Sequence, residues 1–277
     1  MLRKTRGLRD PWPEETGKAR QRHDFHPEFL DITREATVVH MVKLASHSRL
    51  ATGIELPVRM LKQILTSREV PFGGRVLVVG CGHGELVAFL DGIAFQVEAF
   101  GDSPAEIDDA RRRFPQYEFQ YARLDESIGA PNDAFDLILV QDPCVYRNNL
   151  LDLGTRSATA NLLACLKPGG NLVFVCKRDG LIGCGAGHET GCWKRHLACF
   201  PGQLAIHQYP EGFFRKANWD WLCGERDHGE YFTVTLQSPP EKLNRNFWRD
   251  FARRGLMTGQ GVCCVNKAVE IPSRRVA

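Results

Sequence analysis

Long apolar runs are what this sequence most conspicuously lacks. No uninterrupted apolar stretch in its 277 residues exceeds the length of a β-strand, whereas a membrane-spanning helix needs about 20 such residues in a row. The opening MLRKTRGLRDPWPEE is basic but has none of the apolar segment of a secretion signal. Strong charge is missing as well. Thirty-six Lys and Arg against 33 Asp and Glu leave a formal +3, too mild to imply nucleic acid or a membrane surface on charge alone. No internal repeat or low-complexity tract is present. A secreted disulfide framework is also not expected: the ten cysteines include several inside strand-like runs such as NLVFVC and GVCCV, and read as reduced thiols. What these absences leave is a cytoplasmic globular chain, 43% hydrophobic and long enough for one large domain with elaborations.

Along the chain, residues 1–27 are rich in charge, Pro and His without periodicity, and are expected to form an arm. EFLDITREATVVHMVKLA and LPVRMLKQILTSREV then carry apolar residues at three- and four-residue intervals, the pattern of amphipathic helices. From Arg75 the texture alternates: RVLVVG, FQVEAF, YEFQYA, FDLILV and NLVFVC read as strands, and ELVAFLDGI, PAEIDDARRRF and ATANLLACL as helices. Short apolar strands separated by helices predict a doubly wound, mostly parallel α/β sheet. Beyond Cys176 the pattern weakens into a Gly-rich stretch, an aromatic stretch, a strand-like YFTVTLQ, a helix-like PEKLNRNFWRDFARRG and a last run GVCCV. The expected organisation is an arm and helix over residues 1–45, a Rossmann-like core over 46–180, and a C-terminal part over 181–277 that completes the sheet and caps the substrate.

RVLVVGCGHGELVAFL, residues 75–90, places three glycines in the first strand-to-helix turn. In such a sheet the ligand lies outside the carboxyl ends of the strands, and this turn must let it approach the backbone. Glycine permits that because it has no Cβ and accepts positive φ. A dinucleotide fingerprint, G-x-G-x-x-G/A, would need a small residue where Glu85 stands; the spacing here is G-x-G-x-G.

Four segments in order, VLVVGCGHGE, GDSPAEIDDARRRFP, FDLILV and LKPGGNLVFV, resemble the class I S-adenosylmethionine-dependent methyltransferases from about Arg75 to Cys176. The resemblance implies the class I methyltransferase fold, S-adenosyl-L-methionine as cofactor, and methyl transfer by in-line displacement. It places Gly80, Cys81, Gly82 and Gly84 against the cofactor, with Asp102 and Ser103 following the second strand. Asp102 is the expected partner of the ribose hydroxyls, since a carboxylate accepts two hydrogen bonds from a vicinal diol. The family spacing is D-x-S-P, however, and puts Gly101 where the acid belongs, which leaves Glu98 as the alternative. Asp125 is the candidate on the adenine side, although strict spacing would select Arg123. VQDPCVYRNN, after the fourth strand, supplies Gln141 beside the cofactor and Asp142 and Tyr146 as catalytic candidates, Asp142 to accept a proton or orient the nucleophile. An Asp142 that merely caps a turn ahead of Pro143 is the competing reading.

Several features bear on the acceptor. Cys144 and Cys176 occupy places similar to the two cysteines of RNA cytosine-5 methyltransferases, but Gln141 and Val175 depart from that pattern. Cys184, His188, Cys192, His196 and Cys199 could bind zinc but lack a C-x2-C knuckle, and are read instead as a mobile cap; no metal is expected. Phe213, Phe214, Trp219, Trp221 and Tyr231 line either a pocket or a small core. The expectation is a small-molecule methyltransferase with no membrane partner. RNA methylation and a non-catalytic scaffold of the same fold are the alternatives.

Overall fold

The computed structural model describes residues 58–68, 70–126, 128–141, 144–146, 149–177, 190–209, 231–257 and 269–270. All fall within the unit Thr33–Ala277. The 1–27 arm, the first amphipathic segment, the aromatic residues 213–221, Asp142, Cys184, His188 and GVCCV lie outside the described residues.

The first element is helix α1 (Val58–Ser67), whose Met60, Leu61, Ile64 and Leu65 are buried along one side. Strand β1 (Arg75–Val79) follows, then α2 (Glu85–Gly92), β2 (Gln96–Gly101), α3 (Pro104–Arg113), β3 (Phe119–Tyr121) and β4 (Phe135–Gln141). A short 3-10 turn (Cys144–Tyr146) leads to α4 (Leu153–Leu163), β5 (Leu166–Lys177), α5 (Thr190–Leu197), β6 (Gln203–Tyr209), β7 (Tyr231–Gln237), α6 (Arg245–Met257) and β8 (Val269–Glu270). Local signals set several boundaries. In α3, Ser103 accepts from the Glu106 amide, Pro104 opens the first turn, and Arg111, Arg112 and Arg113 close the last. In α4 the Asp152 carboxylate accepts from the Thr155 amide at 2.7 Å.

The eight strands form one sheet in the order β3-β2-β1-β4-β5-β7-β6-β8. β1 to β5 run parallel, and β7 is antiparallel to both β5 and β6. Strand β1 is apolar and buried after Arg75 because both its faces are covered there. Leu77 and Val79 join the core beneath α4, α5 and α6, and Val76 and Val78 the core beneath α1, α2 and α3. Helices on both faces of a mostly parallel sheet make up the Rossmann-like architecture that the class I methyltransferase resemblance implies. The C-terminal part completes that sheet with β6, β7 and β8. Strand β6 was not legible in QLAIHQY, since only Gln203 and Gln208 are exposed and no period of two remains. Among the described residues no helix is long and apolar enough to cross a membrane.

Candidate active site

Strands β1 and β4 are neighbours although β2 and β3 come between them in sequence. The strand order therefore reverses there, and the carboxyl ends of β1 and β4 form the switch point at which doubly wound sheets bind ligands. The glycine turn occupies that point. Gly80, Gly82 and Gly84 have φ of 75°, 50° and 93°, all in the left-handed region that disfavours a side chain. The Gly80 and Cys81 amides both donate to the Phe100 carbonyl, at 2.9 and 3.3 Å, which ties the turn to the end of β2.

The glycines serve different ends. A Cβ at Gly82 would meet nothing within 4 Å, so its backbone borders open space. One at Gly84 would stand 2.8 Å from Phe119 Cζ and 3.0 Å from Phe114 Cδ2, so that glycine is required by packing. Cys81 is buried, and burial pushes its thiol up to about 12, leaving it a protonated packing group at neutral pH. His83, within the turn, pairs with Asp109 of α3 at 2.8 Å. No local pattern announces a contact that spans 26 positions, and the sequence reading missed it.

Asp102 follows β2 directly and is half-buried. Its Oδ2 accepts from the Cys144 amide, linking the end of β2 past β1 to the turn after β4. A Cβ at Gly101 would press to 3.0 Å on Ile107 Cδ1, so a side chain there would have to displace the end of Ile107. Glu98 stands in register with Leu77, and its carboxylate is tied to Arg75 at the start of β1, toward the opposite edge of the sheet from the glycine turn. The geometry thus favours Asp102 over Glu98. Ser103 spends its hydroxyl on the α3 cap. Asp125 lies beyond β3 and pairs with Arg123 at 3.2 Å. Gln141 ends β4, half-buried and in register with Val175 of β5.

Tyr146 is moved by the structure from the site to the core. Its ring is fully buried and packs against Phe174 at 5.0 Å and Trp193 at 6.0 Å, and its hydroxyl lies 2.9 Å from Thr159 Oγ1. An aromatic in a segment beside the transfer point is expected to face the substrate, but this ring turns inward. His196 belongs to the same network, with Nε2 2.8 Å from Thr159 Oγ1 and Nδ1 on the Leu150 carbonyl. Both ring nitrogens are therefore engaged, and His196 has none left for a metal. Among the described residues no group of three or more His, Cys, Asp or Glu is arranged to hold one. Cys144 is exposed, whereas Cys176 is buried in the core with Phe174.

No family model matches the chain. Nodulation protein S of Rhizobium tropici is 32% identical over 117 residues, which are 42% of this chain and 48% of that protein. The chain thus spans about half the length of that relative. Among solved structures, the TehB-like SAM-dependent methyltransferase of Corynebacterium glutamicum covers 72% of this chain and 98% of its own at 21% identity and a TM-score of 0.44. The S-adenosylmethionine-dependent methyltransferase of Mesorhizobium loti covers 64% and 96% at 18% identity and a TM-score of 0.47.

Proposed function

We propose that the chain is a class I S-adenosylmethionine-dependent methyltransferase acting on a small-molecule acceptor. The observation that carries this reading is the glycine turn at the switch point of the sheet, with Gly82 bordering open space at φ 50° and a carboxylate, Asp102, at the end of the adjacent strand. These residues fit the cofactor: a backbone free of side chains for close approach, and a carboxylate to accept from a diol. One Asp102 oxygen already accepts the Cys144 amide, which orients the group and leaves its second oxygen for a ribose hydroxyl.

Bound there, the cofactor would supply an electrophilic methyl group on a sulfonium. The chain's own part is alignment. Gly80, Cys81 and Gly82 would contribute backbone, Gly84 would fix the turn by its packing, and Ser103 and Asp125 would frame the adenosine end. Gln141 would face the transfer point from the end of β4, and Asp142, the next residue in sequence, would accept a proton from the acceptor or orient it. Holding nucleophile and methyl in line supplies up to ~7–11 kcal/mol in well-oriented systems. In this reading residues 46–180 form the cofactor half and 181–277 the sheet edge and acceptor cap, with residues 1–45 as arm and helix. The buried position of Cys176 favours a small acceptor over an RNA base, which a nucleophilic thiol would have to reach.

Calorimetric titration tests the reading. S-adenosylmethionine or its demethylated product should bind the full chain with one-to-one stoichiometry, and NAD should not. Preferential NAD binding would replace the methyltransferase reading with a dinucleotide one, and a folded protein that binds neither would favour the scaffold.

A further inference from the structure

The connection between β3 and β4 carries Asp125, and side chains from two helices hold it. Strand β3 runs parallel to β2 with Tyr121 in register with Gly101, and the Ala122 amide donates to the Gly101 carbonyl at 3.0 Å. Asp125 therefore lies shortly past the carboxyl end of β3, at the same end of the sheet where Asp102 follows β2. Asn161 of α4 is 1% exposed. Its Nδ2 donates to the Leu124 carbonyl at 2.9 Å and to the Glu126 carbonyl at 2.6 Å, the residues on either side of Asp125. Its Oδ1 accepts from Arg249 of α6, whose Nε and Nη2 lie at 3.4 and 3.3 Å. Carbonyls only accept and a guanidinium only donates, so a single orientation of the amide satisfies all three partners.

Leu124, Ile128 and Ala130 already anchor this segment by apolar burial. A buried amide is unfavourable unless its polar atoms are bonded, and Asn161 directs its bonds at the backbone on both sides of one residue. What they add is the direction of that backbone, and with it the direction in which the Asp125 side chain projects. Arg123 also touches Asp125, at 3.2 Å, and Glu126, at 2.7 Å, but it is exposed, and surface ion pairs are weak restraints. Helix α6 holds the segment at a second point: Arg245, one turn before Arg249, donates to the Ala130 carbonyl at 3.2 Å. The C-terminal part of the chain thus reaches into the half that carries Asp125.

We propose that Asn161 is a positioning residue for base selectivity in the cofactor site. By holding the carbonyls of Leu124 and Glu126 it aims the Asp125 carboxylate at the exocyclic amino group of adenine, and Arg249 orients it from α6. The inference rests on the methyltransferase reading, with Asp125 at the adenosine end. A carboxylate accepts from an amino group and repels a carbonyl oxygen, so a well-aimed Asp125 distinguishes adenine from its deaminated form, as sites built to bond a ligand N–H do.

The test is the ratio of two affinities of the full chain, measured by calorimetry: for the demethylated cofactor, and for its inosine analogue, in which a ring carbonyl replaces the adenine amino group. Wild type should prefer the adenine form by roughly ten- to a hundredfold, the range of a hydrogen bond to a charged group. Asp125→Asn, whose amide can turn either atom to the ligand, should erase the preference. Asn161→Asp is equal in size but sets a carboxylate against both carbonyls, and should erase most of it. Arg249→Gln should lower the ratio in the same direction without removing either donor. Thr159→Val, two residues before Asn161 in α4, should lower the thermal midpoint yet keep the wild-type ratio, which separates aim from stability. A folded Asn161→Asp with the wild-type ratio would overturn the proposal; where that variant does not fold, an unchanged ratio in Arg249→Gln would overturn it. An unchanged ratio in Asp125→Asn, or cofactor binding by wild type without preference for adenine, would also overturn it and leave the methyltransferase reading intact. A folded wild type that binds neither ligand would overturn both.

Discussion

The three turn glycines look alike in sequence but should respond differently to the same change. At Gly84 an added methyl meets both a left-handed backbone (φ 93°) and Phe119. The strain costs roughly 1–2 kcal/mol and the overpacking another ~1–3 kcal/mol, so Gly84→Ala should lower the thermal midpoint markedly. Gly82→Ala incurs only the strain but places the methyl in the open space beside the turn, so it should cost less stability and far more cofactor affinity. Calorimetry and thermal denaturation on the two variants separate packing from binding; equal affinity losses would contradict the division. Asp102→Asn should weaken cofactor binding roughly ten- to a hundredfold, as loss of a charged acceptor does, whereas Glu98→Gln removes only a part-exposed pair with Arg75. Collapse of affinity at 98 but not at 102 would reverse the assignment. His207 carries a pH signature. Burial and Arg68 hold its imidazole below the ordinary 6.5. The unfolded chain therefore takes up this proton first, and the folded state loses stability as pH falls from 6.5 toward the depressed value. The midpoint of His207→Gln should fall less between pH 7.5 and 5.5 than that of wild type; identical slopes would mean His207 titrates normally.

At the level of elements, the turn after β4 is held from two sides. Asp102 accepts the Cys144 amide, and Tyr146, two residues on, is locked through Thr159 to His196 of α5. Nδ1 of His196 faces the Leu150 carbonyl and so donates to it, while Nε2 of His196 and the Tyr146 hydroxyl both lie within hydrogen-bond distance of Thr159 Oγ1, which also reaches the Thr155 carbonyl at 3.2 Å. Thr159→Val would remove the hydroxyl that both groups share and should lower the thermal midpoint, with a cost of about 1–3 kcal/mol for a buried polar group that loses its bond. Tyr146→Phe removes one hydrogen bond, costing about 0.5–1.5 kcal/mol, and should leave turnover within a few-fold of wild type. A hundredfold loss without cofactor weakening, the size expected of a proton carrier, would return Tyr146 to the catalytic site.

Over the whole molecule, the parts legible in sequence were those dictated by short-range physics. Apolar runs such as VLVV and LILV announce strands covered on both faces, Ser103 and Pro104 announce a helix start, and glycine spacing announces a turn with left-handed backbone. What stayed hidden depends on contacts distant in sequence. Nothing in VYRNN shows that Tyr146 turns inward to a histidine fifty residues later. Nothing in QLAIHQY shows that His207 reaches the row of Gln141 through two intervening strands. Cys81 sits inside the motif, yet its burial, and with it a thiol pushed to about 12, emerges only when β2 and α3 close over it.

The central claim is that a ligand lies at the carboxyl ends of β1 and β4 on the glycine turn. A crystal structure of the full chain with the demethylated cofactor tests it most directly. Ligand density is expected against the backbone of Gly80–Gly82, with the ribose hydroxyls on the Asp102 carboxylate. Density at any other edge of the sheet, or a ribose held by Glu98 with Asp102 turned away, would contradict it.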